Sequence, residues 1–138
     1  MYKSIAALVG AVLISMMIPS TLDAQLADRQ VITLEGAKKM MAAAEAEANS
    51  NGWTVAIAIV DEAGDLIAFR KIDGTQAGSI DVAIGKARTA ARLKRSTKDL
   101  EDAIARGRLT LLAVDGIMPL EGGVPVVVDG EVIGAIGA

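Results

Sequence analysis

The first periodic segment of the chain predicts an amphipathic helix. Thr33 is a suitable N-cap with Glu35 in the first turn, and Asn51-Gly52 is a common C-terminal stop. Between these signals apolar residues recur at spacings of three and four, which places them on one helical face. That face consists of Leu34, Ala37, Met41, Ala44 and Ala48.

After this helix the pattern changes to an alternation of period two. The segment from Trp53 to Val60 alternates between two faces, and both faces carry apolar or small residues that predict at least partial burial. Residues 61–65 predict a turn, and Leu66–Lys71 predicts a second strand. Together the two strands predict a β-hairpin.

Two further helices are predicted in the middle of the chain. Ser79 can cap the first of them, and Ser96 or Thr97 can begin the second, which ends near Gly107. Residues 109–114 predict either a strand or a buried segment, because periodicity cannot separate the two over so short an apolar run. The apolar stripe of the first helix is rich in small residues, namely Ile80, Ala83, Ile84, Ala87 and Ala91.

A second hairpin is predicted at the end of the sequence. Asp129-Gly130 separates the β-branched runs Val124–Val128 and Glu131–Ile136, and an Asp-Gly pair in that position predicts a type I′ turn. The order helix, hairpin, two helices, hairpin is typical of an antiparallel sheet with helices packed on it. The sequence therefore predicts an α+β domain.

The N-terminus accounts for much of the high mean hydropathy of +0.44. Lys3 precedes the apolar run Ile5–Ile18, and Pro19 and the small residue Ala24 follow it. This arrangement is typical of a secretory signal peptide, whereas a membrane span needs about 20 apolar residues. We expect cleavage after Ala24, which leaves residues 25–138 in the periplasm or outside the cell without a stable membrane anchor. The alternatives are an uncleaved anchor and a buried N-terminal helix.

The composition excludes several kinds of site. The 138 residues contain no Cys and no His, which excludes disulfides, zinc–thiolate sites, thiol nucleophiles and imidazole bases. The net charge of -3 and the aromatic content of 2% argue against nucleic acid as a partner, because neither a general positive charge nor a stacking platform is present. A small-molecule ligand and further copies of the chain remain as candidate partners.

A group of cations lies on and just after the second predicted helix. On a helix, Arg88, Arg92 and Arg95 fall on one face. The group is either a solvated face whose charges favour a helix C-terminus or a patch that binds carboxylates, such as the propionates of a ligand. Its members are Lys86, Arg88, Arg92, Lys94, Arg95 and Lys98.

The loop before the last hairpin is a second candidate site. Gly122 and Gly123, followed by Pro125, indicate a main chain that is fixed and closely approached at the entrance of a strand. The loop is either a structural turn or a ligand-contacting segment. No catalytic residue is predicted. The residues predicted to contact a ligand are Lys86, Arg88, Thr89, Arg92, Gly122, Gly123 and Pro125.

A series of short stretches carries a family resemblance. The stretches are DEAGDL at 61–66, DG at 73–74, SI at 79–80, KARTA at 86–90, GGVP at 122–125 and VIGAIG at 132–137. In their order and spacing they resemble the GlcG/HbpS family, which is also found as the C-terminal domain of PduO-type adenosyltransferases. The resemblance extends from about Thr33 to Ala138. It implies a profilin-like domain with an antiparallel sheet covered by helices, a homo-oligomer, and binding of haem or a related tetrapyrrole.

The sequence departs from the family pattern at its end. Family members continue beyond the final Ile-Gly with a Val-Ser-Gly turn and another helix, whereas this sequence stops at Ala138. We therefore expect either a domain truncated at its C-terminus or a subunit that covers its exposed apolar strand by oligomerisation.

A second departure concerns haem iron, which proteins normally hold with His, Cys, Met or Tyr. The sequence has no His or Cys, and its one tyrosine, Tyr2, lies in the predicted signal peptide. Methionine, lysine or a weak oxygen ligand such as threonine is left. We expect any bound haem to be weakly ligated, and replacement of Met118 or Thr89 tests which atom is involved.

Three functional hypotheses follow from these observations. The first is binding of haem or another planar anionic cofactor without catalysis. The second is a non-catalytic accessory or assembly protein whose oligomer is the product. The third is an enzyme, for which Lys86 as a Schiff-base lysine is the least implausible route. A haem titration that follows the Soret band separates the first two.

Overall fold

The computed structural model of the protein describes residues 28–138. The predicted signal peptide, residues 1–24, and its cleavage site lie outside the described residues. Within residues 28–138, no helix has the length and apolar character needed to cross a bilayer. In chain order the elements are α1 (Leu34–Ser50), β1 (Ala56–Asp61), β2 (Leu66–Lys71), α2 (Ser79–Leu93), α3 (Thr97–Ala105), a 3₁₀ helix (Leu109–Ala113), β3 (Gly123–Val128) and β4 (Glu131–Gly137).

The strands form an antiparallel sheet in the order β2-β1-β4-β3. Each predicted hairpin supplies two neighbouring strands, and β1 pairs with β4 in the middle, where Ala58 lies opposite Gly137. In the β3–β4 turn the φ angles of Asp129 and Gly130 are 51° and 84°, as a type I′ turn requires. The predicted α+β fold with an antiparallel sheet and packed helices is confirmed.

Side-chain caps explain where two of the helices begin. Thr33 and Ser96 each accept a hydrogen bond, at 3.1 Å, from a main-chain N–H three residues further along the chain. The prediction that Ser79 caps α2 is wrong. Ser79 is the first residue of that helix, because the preceding Gly78 already has helical φ and ψ angles of -63° and -22°.

The two faces of the sheet differ in the size of their side chains. On one face α2 packs through small residues, so closely that a Cβ on Gly137 would overlap the main-chain oxygen of Ala83. On the other face α1 covers β1 and β2, and the side chains there are larger. They include Met41 of α1 and Ile57 and Ile59 of β1. The small residues therefore bring α2, which carries most of the candidate site residues, close to the main chain of the sheet.

The apolar run at 109–114 is neither a strand nor a buried segment, contrary to both sequence-based alternatives. It forms a 3₁₀ helix with local hydrogen bonds, such as that from Leu111 N–H to the Arg108 main-chain oxygen at 3.2 Å. The run packs against α3 and not against the sheet, so it has no strand with which to pair. Leu109 and Leu112 are consequently 62% and 61% exposed.

Candidate ligand-binding site

Two buried threonines hold the loop that precedes β3. Thr89 Oγ1 on α2 accepts the main-chain N–H of Met118 at 2.7 Å, and Thr97 Oγ1 on α3 accepts that of Gly123 at 2.8 Å. A buried N–H that lacks an acceptor costs about 1–3 kcal/mol. The two side chains therefore fix the loop against both helices.

The exposed side of the same loop is held by charged groups. Glu101 accepts the main-chain N–H of Glu121 at 2.6 Å, while Lys98 Nζ lies 3.3 Å from Asp102 and 3.7 Å from the Glu121 carboxylate. The hydrogen bond to Asp102 and the negative charges of Asp102 and Glu121 raise the pKa of Lys98 above its ordinary value of 10.5. Lys98 is therefore a cation whose role is to pair with acidic side chains around the loop.

The paired glycines bring the loop main chain against α2 at Lys86. At Gly122, where φ is +124°, a Cβ would overlap the Ala138 oxygen and lie 2.8 Å from Lys86 Nζ. At Gly123 a Cβ would lie 2.5 Å from the Lys86 main-chain oxygen. Any larger residue would have to displace main-chain atoms, so this is the closely approached backbone that the Gly-Gly pair predicts.

Lys86 borders a cleft of about 320 Å³ between the first half of α2, the residues before β1 and the end of β4. Its Nζ donates to the main-chain oxygen of Ala138 at 2.7 Å, and none of the ion pairs within residues 28–138 includes it. Thr54, Gln76 and Ser79 add polar groups to the walls. The apolar part of the lining consists of Val55, Ala56, Val82 and Ala83.

Arg88 and Arg92 lie on another flank of α2 and hold the β1–β2 turn. Arg88 Nε donates to the Gly64 oxygen at 3.0 Å, and Arg92 Nε donates to the Ala63 oxygen at 2.7 Å. Lys86 and Arg88 point in directions about 200° apart, because successive helix residues differ by about 100°. The members of the predicted group of cations that lie on α2 are therefore divided between two flanks of that helix, and the other three, Lys94, Arg95 and Lys98, follow it.

Of the residues predicted to contact a ligand, the structure brings Lys86, Gly122 and Gly123 together. Thr89 is hydrogen-bonded to the loop, and Pro125 lies in β3 opposite Ala135. Of the seven predicted contacts, only Lys86 lines the cleft, whereas the two glycines, Thr89, Pro125 and the two arginines do not. The role of all seven as ligand contacts stays a prediction.

Sequence reasoning did not predict the other polar residues of the cleft as ligand contacts. Thr54 precedes β1, Gln76 precedes α2, and Ser79 opens α2, so the three do not lie in one contiguous motif. A signal was available for Ser79, since it precedes Lys86 by seven residues and two helical turns place both on one flank. Thr54 and Gln76 have no such signal, because only the fold of the chain places them beside Lys86.

A second cleft, of about 340 Å³, has the opposite electrostatic character. Arg29 lies 3.6 Å from Glu62, and Gln30 donates to Asp129 at 3.0 Å. An anionic ligand is disfavoured here by the surrounding carboxylates, so the cleft beside Lys86 is the better candidate for one. The acidic residues of this second cleft are Asp28, Glu62, Asp129 and Glu131.

Comparison with known proteins places the chain in a family. Residues 32–138 match the family described as "Haem degrading protein HbpS-like". The chain belongs to the HbpS-like family. It is also 39% identical over 107 residues to protein GlcG of Escherichia coli K12, a match that covers 78% of this chain and 80% of GlcG. The resemblance inferred from the ordered motifs is thus confirmed.

Solved structures of this family have the same fold. The crystal structure of ORFY from Klebsiella pneumoniae has a TM-score of 0.75 and 31% identity, over 82% of this chain and 81% of ORFY. The crystal structure of HbpS has a TM-score of 0.75 and 32% identity, over 83% of this chain and 80% of HbpS. The α+β architecture is therefore that of HbpS-like proteins.

The cleft fits some chemical features of a tetrapyrrole and not others. An apolar lining beside a lysine suits a hydrophobic macrocycle with carboxylates. Within residues 28–138, no three His, Cys, Asp or Glu side chains are grouped so that they could hold a metal ion. Met40 and Met41 pack between α1 and the sheet, and the Met118 side chain lies against Gly85. One carboxylate and an apolar part of the ring therefore suit the residues present, whereas a haem iron does not.

Proposed function

We propose that this chain is an exported member of the HbpS-like family that binds haem or a related tetrapyrrole without catalysing a reaction on it. The cleft beside Lys86 receives a carboxylate of the ligand. The observation that carries the proposal is the position of Lys86, whose ammonium borders an apolar cleft and pairs with no Asp or Glu side chain within residues 28–138.

The physical argument rests on two features of the cleft. Its apolar lining removes ring surface from water, which contributes about 25 cal/mol per Å². Lys86 Nζ, which donates to the Ala138 oxygen, can also donate to a carboxylate of the ligand, and a charge-assisted hydrogen bond is about twice as strong as one between neutral groups. Both contributions favour a flat, apolar and anionic ligand.

The family description supports haem as the ligand, because it names haem. It also names degradation, but the absence of His and Cys removes the usual proton-transfer and nucleophilic groups. We therefore favour binding. The test is to incubate the protein with haem, ascorbate and oxygen and to follow the Soret band. We expect the Soret band to decay at the rate seen for free haem. A faster decay whose rate saturates with protein concentration would mean that the protein degrades haem, and the proposal of binding without catalysis would be wrong.

Export is proposed from the sequence of Lys3, the apolar run 5–18 and Ala24. Intact-mass measurement of the protein from the periplasm or the medium tests it. The expected mass is that of a chain beginning at Gln25, and a mass that still includes residues 1–24 would contradict the proposal.

Binding is tested by titrating haem into the wild type and into Lys86→Met, which keeps the apolar stem and removes the charge. We expect the variant to bind about 3- to 10-fold more weakly at low salt, and the difference to shrink at high salt. Lys39→Met is the matched control, because Lys39 is an exposed lysine of α1 away from the cleft. Equal affinity in all three proteins would overturn the assignment of Lys86.

Exposed apolar side chains favour a second candidate function, in which a homo-oligomer is the working form of an accessory or assembly protein. Besides Leu109 and Leu112, Val124 and Val127 of β3 are 52% and 54% exposed. The small-residue stripe of α2 packs on the protein's own sheet, so it does not contribute to such a surface. Light scattering is expected to give a multiple of the protomer mass. The Leu112→Asn variant is expected to give a lower mass, because it removes an exposed apolar side chain. A well-folded monomer at tens of micromolar would contradict this proposal.

A further inference from the structure

The described residues offer a tetrapyrrole's carboxylates and its iron very different surroundings. Carboxylates meet Lys86, while iron requires a side chain with a lone pair that binds metals strongly, normally from His, Cys, Met or Tyr. The sequence contains no His and no Cys, and its one tyrosine is Tyr2. Methionine is therefore the only usual iron ligand within residues 28–138.

The three methionines in this range lie elsewhere. Met41 is buried and Met40 packs beside it, both between α1 and the sheet. Met118 is fixed by its main-chain hydrogen bond to Thr89, and its side chain covers Gly85 on α2. None of them lines the cleft. Movement of Met40 or Met41 into the cleft would leave a cavity in the core, which strongly destabilises a protein.

The polar groups that do line the cleft are poor ligands for iron. Thr54 and Ser79 offer neutral hydroxyls, and Gln76 offers a neutral amide. Lys86 donates its hydrogen to the Ala138 oxygen, and a protonated nitrogen has no lone pair for a metal. Hard, neutral oxygen donors are better suited to ions such as Mg²⁺ and Ca²⁺ than to haem iron.

We propose that the cleft recognises the tetrapyrrole through its carboxylates and apolar ring and not through its metal. Metal-free and zinc-containing porphyrins then bind as well as haem does. The inference rests on the proposed function, and it narrows the ligand class to anionic tetrapyrroles irrespective of the central ion. Its basis is that ring burial and the Lys86 contact are the same for each of these compounds.

The chain supplies its own probe for the test. Trp53 is the single tryptophan of the sequence, is 55% exposed and directly precedes Thr54 of the cleft wall. Quenching of its fluorescence can be titrated with haem, protoporphyrin IX and zinc protoporphyrin IX in the same buffer. We expect dissociation constants within about threefold of one another, since a threefold ratio corresponds to only about 0.7 kcal/mol.

Three outcomes are distinguishable. If haem binds at least about tenfold more tightly than protoporphyrin IX, iron contributes, and the inference is overturned while the proposed function stands. If none of the three compounds quenches Trp53 or shows a changed absorption spectrum, the proposed function fails and this inference fails with it. Equal binding of all three supports both.

Two further measurements separate the contacts. The dimethyl ester of protoporphyrin IX lacks the anionic carboxylates, so it is expected to bind the wild type as weakly as protoporphyrin IX binds Lys86→Met. Met118→Leu removes the one thioether of residues 28–138 that lies outside the α1 core, and it should leave the affinity and the Soret spectrum of bound haem unchanged. A Soret shift that disappears in Met118→Leu would show iron ligation by Met118 and would contradict the inference.

Discussion

The two cation-bearing flanks of α2 use similar residues for different purposes. On the flank that faces the β1–β2 turn, Arg88 and Arg92 each commit their Nε to a main-chain oxygen of the turn. On the flank that faces β3 and the end of β4, Lys86 donates to the Ala138 oxygen and borders a cleft. The first flank holds the main chain of a turn, whereas the second is the flank that we propose receives a carboxylate of the ligand.

The difference shows what decides the role of a cation on a helix. Arg88 and Arg92 face a turn that leaves two carbonyl groups pointing at the helix, and a guanidinium satisfies such groups well. Lys86 faces glycines, which provide no side chain to cover it. The role therefore depends on what the sheet presents to each flank, and charge alone does not define it.

The largest expected effect separates the Lys86 flank of α2, where a glycine touches the helix main chain, from the Arg88 flank, where a glycine touches side chains. We call the first flank rigid and the second adaptable. In Gly123→Ala the new Cβ would meet the Lys86 main-chain oxygen at 2.5 Å and Thr97 Cγ2 at 2.7 Å. The helix main chain cannot move independently, so we expect a loss of about 3 kcal/mol or more in the free energy of unfolding. In Gly64→Ala the Cβ would meet side-chain atoms of Arg88 and Arg92 at 2.8 Å, at a φ of +88°. Because those side chains can move, the expected loss is about 1–3 kcal/mol.

Urea unfolding of both variants measures this difference. Gly52→Ala is a useful control, since Gly52 has a φ of +67° but no atom within 4 Å of the added Cβ. It isolates the cost of the left-handed conformation. If Gly64→Ala proves more destabilising than Gly123→Ala, then the Lys86 flank is not the more rigid of the two.

The next effect concerns the buried hydrogen bond between Thr97 and the main chain of Gly123, beside Lys86. Thr97→Val keeps the shape of the side chain but removes the acceptor of the Gly123 N–H, which is buried. We expect a loss of about 1–3 kcal/mol in unfolding free energy, because the N–H is left without a partner. Thr97→Ser, which retains the hydroxyl, should recover part of it. Equal stability of the Val and Ser variants would mean that the hydrogen bond does not hold the loop.

Much of the fold follows from local sequence signals. Thr33 and Ser96 cap helices, and Asp129-Gly130 forms the predicted type I′ turn, because each depends on a few neighbouring residues. Predictions fail where long-range contacts decide. The strand expected from Trp53 begins at Ala56, since only the later residues pair with β2 and β4.

The candidate site is only partly predictable for the same reason. The Lys86 and Gly122-Gly123 contact has a local signal on each side, namely a charged helix and a Gly-Gly pair. Nothing in the sequence around Arg88 indicates that the turn at Gly64 will lie beneath it. The group of cations therefore suggests a single patch, and the topology divides it.

Removal of both arginines sharpens the comparison between the flanks. In Arg88→Met/Arg92→Met the turn loses two side-chain donors, and we expect a loss of about 1–2 kcal/mol in unfolding free energy, reduced by the exposure of Arg92. Haem affinity should change less than about twofold, because neither residue lines the cleft. Arg95→Met, which removes an exposed charge near the same flank, is the control for net charge. A large loss of haem affinity, strongest at low salt, would place the ligand's carboxylates at the arginines, as sequence reasoning allows.

The smallest effect is expected at Lys98, which pairs with Asp102 and Glu121 on the exposed side of the loop that contacts Lys86. The pKa of Lys98 is raised above 10.5 in the folded protein. Its charged form therefore stabilises the fold at pH values below the unfolded pKa, and this contribution is lost as the pH rises through the folded pKa. Lys98→Met should be slightly less stable than the wild type at neutral pH, and the difference should shrink as the pH rises past 10.5 and through the raised pKa of Lys98. Thermal unfolding over a series of pH values, with Lys39→Met as the control for loss of one exposed lysine, measures it. A difference that does not change with pH would mean that the stem of Lys98, and not its charge, packs against the loop.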